Sequence, residues 1–309
     1  MSRKSVTIGI CAYNEGENIK NLLDSVVLQK ETSEFFIKNI IVVSDGSTDN
    51  MEQIVLQYDD PRVSLKFFPT REGKPTRMNY LLSLNQSDIV VFLDADIVLE
   101  KPSVIKYLVS PLIHNQRVGL VGGRLQPLPA ETFVEAAINN YIDARIAIED
   151  LIDVSKTAYC IHGSIMAISK KLASEVVIPH SIFSDGAYLY LFAKKRQYEI
   201  RYAKKAVALY RSPQTVMDGL RQAIRQYAGM LQLYNYFLKK YVDTAFALPL
   251  YIVIRMAFYQ WISNPVGYVF FKCLHYVAWK EGLYRFRNMS VRWNIIRSSK
   301  MIKNVIQQA

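Results

Sequence analysis

The sequence lacks most of the marks of small or specialised folds. Its 309 residues include three cysteines. Cys11, Cys160 and Cys273 stand apart with no CxxC pair, which argues against a structural zinc site or a disulfide framework and favours a reducing compartment. Thirteen glycines are too few for collagen-like repeats. There is no internal repeat and no low-complexity segment. A leader peptide is not expected, because Val6 already opens a strand-like run. What is present is apolar: half of the residues are hydrophobic, too many for a disordered chain and enough for one large α/β domain with an appendage.

Negative charge is scarce in one part only. Residues 1–193 carry 18 basic and 23 acidic side chains, whereas residues 194–309 carry 20 and 4. A nearly neutral first part followed by a strongly basic tail points to a polyanionic partner for the tail. Nucleic acid fits poorly, since the basic residues are interleaved with large aliphatic faces; an anionic membrane surface fits better.

Strand and helix patterns alternate in the first third. Val6–Ala12 reads as a buried strand. Ile19, Leu22, Leu23, Val26 and Val27 then fall on one helical face. Asn39–Ser44, Val63–Phe68 and Asp88–Leu93 read as further strands. Helices are expected around Met51–Val55, where a Ser/Thr/Asp cluster can cap the start, and from Gly73–Lys74–Pro75 through Leu82. This predicts a mostly parallel sheet covered on both faces. Further on, Pro102–Asn115 predicts a helix, Val118–Leu125 a strand and Phe133–Asp153 one long helix. Tyr159–Ser169 holds a strand, a helix starts behind Asp185–Gly186, Val207–Leu209 is a last short strand, and Pro213 opens a helical stretch to about Lys240.

Polar clusters sit where the strands end, and in open α/β sheets ligands bind beyond the carboxyl ends of strands. Asp94–Ala95–Asp96 follows the fourth strand. Two carboxylates so placed can share a divalent cation with phosphate oxygens, and hard oxygen donors suit Mg²⁺ or Mn²⁺. Asp45 ends the second strand, where a carboxylate can accept from a base N–H or a ribose hydroxyl, or cap the next helix. Tyr13–Asn14–Glu15 follows the first strand. Arg71, Lys74 and Arg77 surround a helix start, an anion-binding arrangement.

Ala12–Glu15 (AYNE), Val43–Asn50 (VSDGSTDN), Gly73–Asn79 (GKPTRMN) and Leu93–Asp96 (LDAD) occur in this order and at intervals that together resemble the family 2 glycosyltransferases. The resemblance covers roughly residues 5–100 and continues more weakly to about residue 230. It implies a GT-A nucleotide-diphospho-sugar transferase fold and an inverting transfer from a UDP- or GDP-sugar. By position, Ala12, Tyr13, Asn14, Glu15 and Asp45 would line the base and ribose pocket, and Lys74 would lie near the diphosphate. Asp94 and Ala95 would face the donor, and Asp96, with Asp94, would hold the metal. Ser184–Leu189 (SDGAYL) resembles the segment carrying the catalytic base. Many relatives have two adjacent acidic residues there; this chain offers Asp185 and then Gly186, so the resemblance assigns the base to Asp185. His162 would contact the donor diphosphate or the acceptor, and Gly163 would let the donor sugar or the acceptor approach the backbone. Gln222 and Arg225 match the Gln-x-x-Arg-Trp motif of membrane-embedded polysaccharide synthases, with Gln226 at the Trp position and Tyr227 beside it. Arg225 would clamp the diphosphate; Gln222 and Tyr227 would border the acceptor.

The tail, taken as residues 231–309 after a catalytic domain of residues 1–230, holds two apolar aromatic runs, Ala245–Ile262 and Pro265–Trp279, each interrupted by polar or charged side chains. Both suit helices lying in a membrane interface rather than crossing it. Phe286, Met289, Trp293 and Ile296 among Arg285, Arg292, Arg297, Lys300 and Lys303 predict a basic amphipathic helix. The expected protein is a glycosyltransferase at the cytosolic face of the cell membrane, acting on a lipid-linked or saccharide acceptor. A nucleotidyltransferase and a non-catalytic membrane scaffold with a degenerate site are the alternatives, and oligomeric state is left open.

Overall fold

A computed structural model describes residues 2–153, 156–285, 297–299 and 302. Strands and helices alternate through β1 (Lys4–Ala12), α1 (Ile19–Val27), β2 (Phe35–Asp45), α2 (Met51–Leu56), β3 (Val63–Phe68), α3 (Lys74–Leu84) and β4 (Ile89–Asp94). Then come β5 (Ile97–Leu99), α4 (Val104–His114), β6 (Val118–Pro127), α5 (Phe133–Ala147), β7 (Ile165–Ser169), α6 (Lys170–Glu175), α7 (Asp185–Lys195) and β8 (Glu199–Tyr210). Four helices follow: α8 (Val216–Leu233), α9 (Lys239–Phe246), α10 (Leu250–Ser263) and α11 (Pro265–Arg285).

Among the described residues the strands form one sheet in the order β3-β2-β1-β4-β7-β6-β8-β5. The pairs β3–β2, β2–β1, β1–β4 and β6–β8 are parallel. β7 runs against both β4 and β6, and β5 against β8, so the sheet is mixed beyond its first four strands. Between Gly123 and Arg124 the β6–β8 register skips from Ala203 to Val207, and the extra residues on β8 curl the sheet. A side chain at Gly123 would lie 2.8 Å from the Ala206 carbonyl, so glycine lets the two strands cross this bend.

β1 and β4 are buried on both faces, which is why they read as continuous apolar runs rather than alternating ones. One core holds Ile8, Ile10, Leu22, Leu23, Val91 and Leu108 against α1 and α4. The other holds Val43, Met78, Leu81, Phe92, Met166 and Leu191 against α3 and α7. Each such side chain contributes about 1.5–3 kcal/mol when fully buried. The two packed layers hold the ends of β1, β2 and β4 in fixed register, which positions the polar turns that follow them.

Four sequence expectations change. The helix predicted to run to Asp153 ends at Ala147, and a 3-10 turn follows at Glu149–Leu151. Glu149 accepts from Arg124 on β6 and Tyr202 on β8, contacts that draw the chain out of the helix. The last strand is twelve residues long, not three, because Lys204 and Lys205 at the bend mask its pattern. The stretch to Lys240 breaks after Leu233. The boundary drawn at residue 230 falls inside α8, and Leu233, Val242 and Ala245 share the second core. The amphipathic helix predicted over Phe286, Met289, Trp293 and Ile296 lies outside the described residues. Among the described residues no single helix is long and apolar enough to cross a membrane; α9 and α10 qualify by composition only as a pair bent by 47°.

Candidate active site

One cleft of about 440 Å³ opens beyond the carboxyl ends of β1, β2 and β4. Its construction starts at β2. Asp45, 4% exposed, ends that strand and ties down the turn before α3. It accepts from the Glu72 N–H (2.9 Å), the Gly73 N–H (2.7 Å) and Arg77 Nε (2.6 Å). Gly46 and Gly73 have φ of +76° and +102°, values only glycine adopts without strain, so the turn is built for these residues. Arg77 stacks on Phe68 at 3.8 Å and is buried as the partner of Asp45, so it does not join an anion site as the sequence suggested. A carboxylate has about four acceptor positions; three are used here, and Asp45 keeps one edge toward the cleft.

α3 begins with Lys74, and its ammonium reaches across the cleft floor. It lies 2.7 Å from Asp94 at the end of β4 and 2.6 Å from Asp185 at the first position of α7. It also donates to the Gly163 carbonyl at 3.0 Å. Burial works against the ammonium charge, but Asp185 and Asp94 more than offset this and hold Lys74 protonated, above the ordinary lysine range. Burial likewise opposes the Asp94 charge, yet Lys74, the Ser164 hydroxyl and Arg225 hold its carboxyl below the usual range. Arg225 reaches in from α8; burial lowers its pKa against the pull of Asp185, Asp94 and Asp96. Three carboxylates and two cations from four separate segments therefore meet in one crevice.

The glycine at position 186 has a steric cause. A Cβ there would sit 2.6 Å from the Gly163 backbone nitrogen, and a Cβ on Gly163 would sit 2.1 Å from Asp185 Oδ1. α7 and the loop before β7 touch through their backbones, which leaves room for one carboxylate, that of Asp185.

Of the other expected site residues, Ala12, Tyr13, Glu15, Ala95, Asp96, His162, Gly163 and Gln222 line the cleft. Tyr13 carries the Arg71 guanidinium at 3.8 Å over its ring, a flat surface at the end nearest Asp45. His162 is a neutral acceptor: its Nε2 faces Arg145 Nη2 at 2.8 Å, and burial, with Arg145, holds its pKa well below the ordinary histidine value. Two expectations are corrected. Asn14 does not line the cleft; its side chain accepts from the Thr48 N–H at 2.7 Å and braces the turn after β2. Tyr227 points away to α11, where its hydroxyl meets His275 Nδ1 at 3.2 Å, and Gln226 takes the cleft-facing place.

The sequence reading missed the far half of the cleft. Arg145, Tyr159, Tyr202, Tyr210, Arg211 and Ser299 line it, drawn from α5, the 3-10 turn at Ala158–Cys160, β8 with the residue after it, and the C-terminal segment. Their separation in sequence leaves no local motif. Cys11 also lies in the cleft wall, where burial pushes its thiol well up and keeps it protonated.

A divalent cation is tested by the donors present. Asp96 and Asp94 offer hard carboxylate oxygens in the cleft, the chemistry Mg²⁺ and Mn²⁺ require. Among the described residues no cluster of three or more His, Cys, Asp or Glu side chains forms a closed cage. The donor set thus fits a cation that takes its remaining ligands from phosphate and water.

The sequence model of glycosyl transferase family 2 matches residues 7–177. Glucosyl-3-phosphoglycerate synthase of Mycobacterium tuberculosis is 29% identical over 122 residues, 38% of this chain and 37% of that protein. Poly-beta-1,6-N-acetyl-D-glucosamine synthase of Staphylococcus epidermidis is 25% identical over 240 residues, 73% of this chain and 54% of that protein. The chain therefore spans about a third to a half of the length of these curated relatives. A mannosyltransferase of Pyrobaculum calidifontis, solved in complex with GDP-Man and Mn²⁺, superposes with a TM-score of 0.64. It is 16% identical, and the match covers 93% of this chain and 88% of that one. That likeness carries the fold, which is the GT-A fold; with the family model matching more than half of its length, this chain belongs to glycosyl transferase family 2.

Proposed function

We propose that the protein transfers a sugar, with inversion, from a UDP- or GDP-sugar to a lipid-linked or saccharide acceptor at the cytosolic face of the cell membrane. The observation that carries this reading is the Lys74 bridge between Asp94 and Asp185, which joins a donor-side and an acceptor-side carboxylate in one cleft.

Tyr13, Glu15 and the open edge of Asp45 take the base and ribose. Lys74 and Arg225 face the diphosphate and offset the charge that builds on it as it leaves. Asp185 accepts the proton of the acceptor hydroxyl while that oxygen attacks the anomeric carbon. The bond from that carbon to the diphosphate oxygen breaks on the opposite side. The products are the glycosylated acceptor, a nucleoside diphosphate and a proton on Asp185. No covalent sugar intermediate forms, so the configuration inverts. Mg²⁺ or Mn²⁺, held by Asp96 with Asp94, would supply Lewis-acid neutralisation of the diphosphate. Gly163 lets the sugar approach the backbone, and Gln222 and Gln226 border the acceptor.

The test is turnover of a nucleotide-sugar panel by the full chain with Mn²⁺ or Mg²⁺ and native lipid extract as acceptor. Nucleoside diphosphate release is expected, falling by about 10³-fold in Asp185→Asn with nucleotide affinity changed less than threefold. Release of pyrophosphate from a nucleoside triphosphate and a sugar 1-phosphate would make it a nucleotidyltransferase. Nucleotide binding with no turnover on any acceptor would make it a scaffold.

A further inference from the structure

α10 and α11 have two apolar sides, and among the described residues one of them is buried. On α10 the stripe Ile252, Met256 and Gln260 is buried toward α5. On α11 the stripe Phe271, Leu274 and Ala278 is buried, and the helix packs along α8 and α5. A helix that faced water with its other side would show polar residues there. Instead, Leu250, Ile254, Phe258, Trp261 and Ile262 are exposed on α10, Phe258 by 64% and Ile262 by 65%. Val266, Val269, Val277 and Leu283 are exposed on α11. Exposed apolar faces of this kind mark an interaction surface.

The charge around it selects the occupant. Residues 239–309 contain eleven Lys and Arg side chains and two acidic ones, Asp243 and Glu281. Arg255, Lys272 and Lys280 are exposed on these same two helices. Lys272 lies over the Tyr268 ring at 5.3 Å, and Lys280 over the Trp279 ring at 5.0 Å. Long cationic side chains laid along aromatic rings beside an apolar face suit the boundary between headgroups and acyl chains. α10 has 14 residues, which extend about 21 Å at 1.5 Å per residue and fall short of the roughly 30 Å hydrocarbon layer.

We infer that the α10–α11 pair is a docking surface for an anionic lipid bilayer, entering one leaflet without crossing it. The inference deepens the proposed function by naming the partner that brings the acceptor. α5 and α8 present Arg145, Gln222, Arg225 and Gln226 to the cleft, and both also pack against α11. α11 therefore packs on the two helices that form this wall of the cleft, which puts the bound leaflet on the side from which a headgroup-linked acceptor would arrive.

The experiment is vesicle co-flotation of the full chain, comparing phosphatidylcholine alone with phosphatidylcholine containing 30% phosphatidylglycerol. Binding should be at least tenfold tighter to the anionic vesicles and weaken as salt rises from 0.1 to 0.5 M. Phe258→Asp with Ile262→Asp should lower it more than tenfold while leaving the melting temperature and nucleotide binding unchanged. Lys272→Gln with Lys280→Gln should remove the anionic preference by about fivefold per charge. Equal binding to both vesicles, no binding, or a detergent-free dimer that Phe258→Asp with Ile262→Asp converts to monomer would overturn the inference. Nucleotide binding and turnover without vesicles report on the glycosyltransfer reading separately.

Discussion

Replacing Lys74 by Met keeps the length of the side chain and removes the charge between Asp94 and Asp185. At 2.6–2.7 Å and an effective dielectric constant of about 20, each attraction is worth about 6 kcal/mol before desolvation. Burial of three charged groups consumes most of this. The side chains keep between 13% and 25% exposure, so water screens part of the rest. A net loss of about 2–3 kcal/mol follows, at the low end of what breaking a buried pair costs. For a chain of this length that is a fall of about 3–5 °C in melting temperature at pH 8. The sign with pH is fixed by Asp94. Its folded pKa lies below the unfolded value, so the stabilisation is full above the unfolded pKa and is lost as pH falls through the folded one. In Lys74→Met, burial acts on Asp94 against the Ser164 hydroxyl and Arg225 but without the ammonium, and the carboxyl protonates more readily. The deficit should therefore stay near its full value from pH 8 to about pH 4 and narrow as pH falls below that, read from thermal melts between pH 8 and about pH 3. Turnover at pH 8 should fall by about 10²–10³-fold, as when one charge-stabilising group is removed. Equal melting temperatures for the two proteins throughout would refute the bridge as a source of stability, and equal turnover would remove Lys74 from the mechanism.

Two further perturbations test the packing and the buried histidine. Gly186→Ala must move the backbone at Gly163, since the new Cβ would start 2.6 Å from its nitrogen; a loss of about 1–3 kcal/mol is expected from such overpacking, with reduced turnover, and a melt indistinguishable from wild type would contradict it. His162 has a folded pKa well below the unfolded value, so below about pH 6.5 the unfolded chain binds a proton that the folded chain refuses. Stability should decline by up to about 1.4 kcal/mol per pH unit as pH falls toward 5, and His162→Gln, which can still accept from Arg145, should flatten that slope in denaturant titrations.

The half of the cleft beyond β1, β2 and β4 is legible in the sequence because its carboxylates lie at the ends of apolar strands. Asp45, Asp94 and Asp96 need only their strands to be placed, and the strands are continuous apolar runs. The helix carrying Lys74 announces itself through Gly73 and Pro75. What the sequence hides is contact between distant segments. Nothing near Arg77 says that it is the partner of Asp45, and nothing near Gly186 says that Gly163 lies against it. Tyr227 and Gln226 are neighbours on α8, and which of them turns to the cleft depends on how α11 packs. The register jump of β8 opposite Gly123 decides that Tyr202, Tyr210 and Arg211 share a wall with Asp185, and no local pattern encodes such a jump.

Asp45 also bears on how a ligand would be received. Because its carboxylate already fastens two amide hydrogens and a guanidinium, the loop leading into α3 has surrendered its freedom during folding. A nucleotide arriving there meets a rigid shelf and does not have to freeze a wandering segment, so little of its binding energy goes to ordering the chain. Loosening that shelf with Asp45→Asn would show up chiefly as a slower, more entropically opposed capture of the nucleotide.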